Sequence, residues 1–268
     1  MLDLSLSGLP AYAVAALPLI GAFGGVIAGM VGSGGGVLVL PLLIYIALVP
    51  MKMATGISAA QYFLASLSAV LAHRRSRNVD LRVGLVMLGT GVVFAQAGAV
   101  LSAFMTDLSL TLLYFVLAAG AATSLLFPAR AERPGVPTDR LANPNWVAAA
   151  AMGVLVGLVD GILGVGGGFL MVPLLIYALG MPTRLAIGTS LFVIAGTMAS
   201  AVVGKLIQGQ VPLLPSVLVT AGAVVGAQVG ARLSGRFPPA VLRKMLSGLI
   251  YLVCIRMVVD VWSQVVAS

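Results

Sequence analysis

Between its charges, prolines and glycine clusters the chain falls into ten apolar runs. They lie at roughly 11–31, 37–49, 53–72, 83–104 and 109–127, and then 146–164, 168–180, 185–204, 213–232 and 244–263. A helix that crosses the hydrocarbon core needs ~20 predominantly apolar residues. Eight runs are about that long, but 37–49 and 168–180 are short. Each of those two begins at a glycine cluster and contains a proline, Pro41 or Pro173. The pattern predicts an all-α polytopic membrane protein with about ten apolar segments, two of them short discontinuous helices.

Composition agrees: 60% of the 268 residues are hydrophobic and 8% are charged, and mean hydropathy is +1.14. An ordinary soluble domain is about a quarter charged, so lipid is the solvent that suits this surface. The net charge of +8 does not point to nucleic acid. The basic residues occupy short gaps between apolar runs, with no interleaved aromatics and no binding module. The single cysteine, Cys254, excludes an internal disulfide and a thiolate metal cluster. It lies in an apolar run and reads as packing. One histidine, one cysteine and few carboxylates are a poor basis for a nucleophile–base pair or a metal set, so neither enzymatic chemistry nor a cofactor is expected. Asp3 stands where a signal peptide would be basic, so the first run reads as a membrane segment.

The Pro- and charge-rich stretch 128–145 divides the chain into a first membrane repeat, 1–127, and a second, 146–268. Lys and Arg set the orientation. Arg74, Arg75, Arg77 and Arg82 mark one gap as cytoplasmic, Arg130, Arg133 and Arg140 mark the linker, and Arg232, Arg236, Arg243 and Lys244 mark a third. The opposite gaps are poor in positive charge: Met105–Leu108 holds only Asp107, and Leu206–Leu214 holds no charge, with Lys205 just before it. Ten crossings then put both termini outside a bacterial inner membrane and the linker in the cytoplasm.

The second half repeats the first at a constant spacing of 132 residues. Gly32-Ser33-Gly34-Gly35-Gly36 recurs as Gly164-Val165-Gly166-Gly167-Gly168, and Pro41-Leu42-Leu43-Ile44-Tyr45 recurs as Pro173-Leu174-Leu175-Ile176-Tyr177. Between Gly25 and Ser58, sixteen of thirty-four aligned positions are identical, where chance in so biased a composition gives roughly a tenth. Equivalent loops carry opposite charge character, as expected when each half crosses five times and the halves form an inverted repeat. If the short segments re-entered instead, the halves would be parallel and the Arg232–Lys244 cluster would fall on the wrong side.

Glycine-rich backbone breaks a helix and lets another group approach. The helix that starts there presents free N–H groups and a positive dipole end, a setting that binds anions. Gly34, Gly35 and Gly36 with Gly166, Gly167 and Gly168 therefore predict a small-anion site, although glycines also serve close helix packing. Gln96 and Gln228, amides at matched positions in apolar spans, are further candidates, as are the hydroxyls of Ser33, Ser58 and Ser190, with Thr55 and Thr189 weaker. Interhelical or own-helix hydrogen bonds are the alternative for all of these. Lys52 and Arg184 could attract an anion at each entrance or anchor the interface by snorkelling. Asp160, whose repeat mate is Ala28, is a candidate for proton or cation coupling; its other reading is a structural bond to the glycine-turn amides.

The doubled Gly-x-Gly-Gly-Gly cluster, each followed by Pro-Leu-Leu-Ile-Tyr and a later proline (Pro50, Pro182), resembles the TauE/SafE sulfite exporter family over nearly the whole chain. That resemblance implies a secondary transporter of sulfite, organosulfonates or related small anions, with its signature regions at Gly32–Pro41 and Gly164–Pro173. The expected partners are a small anionic substrate and the lipid bilayer, with a homo-oligomer compatible with the sequence. A passive small-anion channel, a carrier of an unrelated anion, and a non-transporting component of a larger complex are the alternatives.

Overall fold

A computed structural model describes residues 11–31, 36–74, 79–126, 144–233 and, beyond those, 241, 244, 247, 248, 250–257 and 259. Among the described residues it is helical without strands. The helices are α1 (Ala11–Val31), α2 (Gly36–Tyr45), α3 (Met51–Arg74), α4 (Leu81–Phe104), α5 (Asp107–Leu126), α6 (Trp146–Leu163), α7 (Gly168–Tyr177), α8 (Thr183–Ile207) and α9 (Leu213–Leu233). Residues 250–257 are helical as well. Among the described residues seven helices are long and apolar enough to cross a membrane. At 10 residues each, α2 and α7 rise ~15 Å, about half a hydrocarbon core. Most of the linker, 128–143, lies outside the described residues, as do Ser33, Gly34 and Gly35.

Local chemistry sets several of these boundaries. Asp80 caps α4 by accepting from the N–H groups of Arg82 and Val83, at 3.0 and 3.3 Å, and Asn145 caps α6 through Ala148 N–H. The end of α6 is Gly164 in the left-handed region, φ 63°, with its N–H on the Asp160 carbonyl. Pro173, inside α7, cannot donate to the ladder.

Polarity is arranged with the apolar side out. Leu19, Phe104, Val147, Ile207 and Val225 are exposed, whereas Thr55, Gln61, Asp160, Thr197 and Lys205 are buried. Lipid contact makes the first set inexpensive, and burial against protein gives the second set partners.

The helix pairing crosses the boundary between the halves. On α1 and α9 the close approaches run Pro18–Gly222, Ala22–Gly226 and Val26–Gly230, so these helices are parallel. On α4 and α6 they run Met87–Gly153, Gly91–Gly157 and Ala95–Gly161, again parallel. At each glycine an added methyl would overlap a backbone oxygen of the partner. The first helix of each half therefore packs against the fourth helix of the other. Between them, α3 and α8 lie side by side: Thr55 meets Lys205, while Tyr62 and Ala65 share a crevice with Leu191 and Ile194. Rising numbers on one helix meet falling numbers on the other, so this pair is antiparallel. One apolar core joins α1, α2 and α5 with the end of α6 and residues 250–257, and a second joins α4, α6, α7 and α8.

Candidate functional site

The second glycine cluster turns the chain between α6 and α7. Gly164 and Gly166 both have positive φ, 63° and 62°, which residues with a Cβ rarely adopt. The turn also sits hard against α3: a methyl on Gly164 would overlap the Thr55 carbonyl oxygen, and one on Gly166 would come 2.7 Å from the Tyr62 ring. Only bare backbone fits there.

Two buried charges hold this turn. The Asp160 carboxylate accepts from the Gly167 N–H through Oδ1 and from the Thr197 hydroxyl through Oδ2 at 2.6 Å. Thr197 lies near the middle of the apolar stretch Leu185–Ile207, and Asp160 lies in the last turn of α6. It also stands at the positive end of α7, which a negative group stabilises. The structural reading of Asp160, a bond to the glycine-turn amides, is the arrangement found. The second charge is Lys205, fully buried. Its Nζ has four oxygens within hydrogen-bond distance that share its three N–H donors: Thr55 Oγ1 at 3.0 Å, the Ile162 carbonyl at 3.1 Å, Ser102 Oγ at 3.2 Å and Gln210 Oε1 at 3.3 Å. The Ile162 carbonyl belongs to the last turn of α6, where a cation is favoured. Asp160 thus ties down the start of α7 and Lys205 the end of α6.

The other residues singled out from the sequence are dispersed. Gly166 and Gly168 bond one another, the Gly168 N–H donating to the Gly166 carbonyl. Gly36 opens α2. Ser190 donates to its own helix at the Ile187 carbonyl, 2.8 Å. Thr189 accepts from the Asp80 N–H at 2.9 Å. Gln96 is half-buried, and a methyl on Gly204 of α8 would come 3.0 Å from its amide oxygen. Gln228 is exposed on α9, so the two amides are not brought together. Lys52 donates through Nζ to the Ala103 carbonyl at 3.1 Å, near the end of α4. Arg184 begins α8, with its side chain outside the described set. Ser58 is fully buried, and its hydroxyl has no hydrogen-bond partner among the described residues.

Several buried polar residues escaped the sequence reading. Gln61 is an amide inside an apolar run, the same signal that singled out Gln96, but its repeat mate is Val193 and matched pairs drew attention first. Lys205 closes a membrane run and reads as a topology mark. Its burial comes from α3, α4 and α6 closing around it, which spacing along the chain does not reveal. Arg256, without an evident role in the sequence, lies 5.6 Å over the Tyr45 ring.

An all-helical chain with apolar flanks, several membrane-length helices and a polar, broken-helix interior has the build of a multi-pass membrane transporter. Residues 17–257 match the family model described as Sulfite exporter TauE/SafE, and the chain belongs to that family. It is 32% identical over 167 residues to a "Probable membrane transporter protein" of Xylella fastidiosa, covering 62% of this chain and 64% of that protein. It is 26% identical over 250 residues to "Probable membrane transporter protein YunE" of Bacillus subtilis, covering 85% and 88% of the two chains. It is also 27% identical over 223 residues to "Probable membrane transporter protein YdhB" of Bacillus subtilis, covering 82% and 89%. No solved structure matches the chain.

Proposed function

We propose that the chain is a secondary transporter that exports a small sulfur-containing anion, such as sulfite or an organosulfonate, across the bacterial inner membrane by alternating access. The observation that carries this reading is the antiparallel contact of α3 with α8, helices that occupy the same place in the two repeats. Equivalent helices lying antiparallel at the centre are what an inverted repeat requires, and such repeats build their sites at mid-bilayer from broken helices. The parallel pairings α1 with α9 and α4 with α6 are related by the same exchange. Five crossings per half are compatible with that inversion, and the distribution of Lys and Arg supports both termini outside and the 128–145 linker in the cytoplasm.

Because each half lends its first helix to the other, the rocking bodies are not 1–127 and 146–268. One is α1, α2 and α9, the other is α4, α6 and α7, and they move about the α3–α8 contact. In this reading the helix ends at Gly34–Gly36 and Gly166–Gly168, with Gln96, Ser33 and Ser58, supply donors to the anion, while Gln228 is exposed and Ser190 is bonded within its helix. Lys52 and Arg184 attract it at the entrances, and Asp160 is the candidate coupling group. Outward movement of an anion is favoured by an inside-negative potential, ~2.3 kcal/mol per charge per 100 mV, so export can proceed without a coupled ion. The family's name as a sulfite exporter supports the substrate class.

The test is uptake of labelled sulfite and a short organosulfonate into proteoliposomes, with and without a pH gradient, beside Gly167→Leu. Saturable flux that the substitution abolishes is the expected outcome. Currents far above carrier rates would replace the carrier with a channel. No flux above empty liposomes from folded protein would remove the substrate class.

A further inference from the structure

The middle of α3 carries three buried polar side chains in succession on one face. Ser58 and Gln61 are fully buried and Tyr62 is 2% exposed. At i, i+3 and i+4 they fall within about 100° of helix circumference. Ser58 Oγ, both amide atoms of Gln61 and the Tyr62 hydroxyl have no hydrogen-bond partner among the described residues. A buried polar group without a partner is costly and rare, and here three neighbours share the deficit. Elsewhere on the same helix the buried hydroxyls are satisfied: Thr55 donates to the Lys52 carbonyl at 2.7 Å and Ser66 to the Tyr62 carbonyl at 2.6 Å. The deficit is confined to the two turns between them.

Those turns lie between the two repeats. The Gln61 amide faces α1, where a methyl on Gly24 would stand 3.8 Å from its Nε2. The Tyr62 ring faces the other repeat at Gly166. One helical turn farther along α1 and α3, a narrow crevice opens that is lined by Ala28, Gly29, Tyr62, Ala65, Leu191 and Ile194. Its walls are mostly apolar, and of Ser58, Gln61 and Tyr62 it is Tyr62 that lines it. The candidate span of α3 is Met51–Val70, which places Gln61 and Tyr62 near its midpoint.

We propose that Ser58, Gln61 and Tyr62 form the oxyanion-binding site of this protein, gripping the oxygens of a sulfur oxoanion with neutral donors. This inference rests on the transport reading for its substrate class and adds the residues that recognise it. Two hydroxyls and an amide NH₂ supply four N–H or O–H donors. A tetrahedral or pyramidal oxoanion presents acceptors only, so donors without protein partners suit it. Neutral dipoles fixed in a water-poor interior hold an anion without the desolvation of a second full charge. The site is one-sided: on α8 the repeat mates of Gln61 and Tyr62 are Val193 and Ile194, and Ser190, the mate of Ser58, is bonded within its helix. One copy of the donor set gives one anion per molecule.

The experiment combines sulfite uptake into proteoliposomes with sulfite-dependent thermal stabilisation of the detergent-solubilised protein, against chloride at equal ionic strength. The variants are Ser58→Ala, Gln61→Leu and Tyr62→Phe, with Leu64→Ala on the exposed face of α3 as control. Tyr62→Phe and Ser58→Ala remove one oxygen each, so a folded variant is available even if Gln61→Leu misfolds. The expected result is a rise in KM of about tenfold or more for Gln61→Leu and Tyr62→Phe, the loss of one hydrogen bond to a charged group. Sulfite should also cease to stabilise them, with Leu64→Ala unchanged. Saturable wild-type flux with the same KM in the folded variants overturns the site and leaves the carrier standing. Wild-type stabilisation that the variants lose, without any flux, sustains the site and removes the carrier. Neither flux nor stabilisation in the wild type overturns both.

Discussion

The two glycine-broken regions began as copies, and they have diverged in what surrounds them. In the second repeat, Asp160 on α6 and Thr197 on α8 meet at 2.6 Å, and the carboxylate also takes the Gly167 N–H. In the first repeat the equivalent positions are Ala28 and Ala65, and both line the crevice beside Tyr62. Where one repeat has spent its polar groups on fixing its own backbone, the other has apolar walls and, one turn away, donors without partners. A duplicated scaffold can thus give a rigid side and a receptive side. The reason is local: one carboxylate brings its own anion to a helix end, and an alanine does not.

The largest test of this contrast makes the second region like the first. Asp160→Ala should destabilise the protein by about 3 kcal/mol, because the Gly167 N–H loses its acceptor in a dry interior and the Thr197 hydroxyl keeps only the Ile194 carbonyl of its own helix. Thermal unfolding in detergent measures it, and Asp160→Asn should recover part of the loss by keeping one acceptor oxygen. A cost within experimental error would mean that the carboxylate does not hold the turn. Thr197→Val removes a single hydrogen bond to the same carboxylate and should cost about 2 kcal/mol. Amide exchange in residues 164–168 should then quicken, since the turn opens more easily; unchanged exchange would place the stability of the turn elsewhere.

Lys205→Met is expected to cost less, about 1 kcal/mol. The Thr55 and Ser102 hydroxyls keep their donations to the Lys52 and Ala99 carbonyls and Gln210 Oε1 keeps the Ser102 hydroxyl at 3.3 Å, so the loss falls mainly on the Ile162 carbonyl. A loss several times larger in the same unfolding measurement would show that the charge at the end of α6 matters more than its hydrogen bonds. Smallest of all is Ala65→Ser, the change at the mate of Thr197. With Ala28 beside it there is no carboxylate to meet, so stability should stay within about 0.5 kcal/mol of wild type. A clear gain would reveal a hidden acceptor in the crevice and erase the contrast.

Much of this architecture was legible along the chain. Among the described residues seven of the eight long apolar runs became membrane-length helices, and the two short runs became α2 and α7, beginning at Gly36 and Gly168. The glycine clusters announced a break, and the 164–167 turn has the left-handed glycines such a break needs. The candidate site was less legible. Gln96 and Gln228 stood out as a matched pair, yet one is half-buried and the other exposed. Gln61 and Tyr62, without polar mates, lie in the buried middle of α3. Matching repeats finds what duplication preserved and passes over what changed afterwards.

By itself, the sequence determined the solvent, the helices and the duplication, because each rests on local quantities: hydropathy over a span, a cap, a glycine or proline that breaks a helix, a repeated motif. The tertiary structure alone decided which helices pair. It set α1 on α9 and α6 on α4 across the boundary between the halves, laid α3 against α8, and enclosed Lys205 among Thr55, Ser102 and Gln210. Those outcomes depend on contacts between residues as distant along the chain as Pro18 and Gly222, fixed by how small residues let backbones meet and by the need of every buried charge for partners.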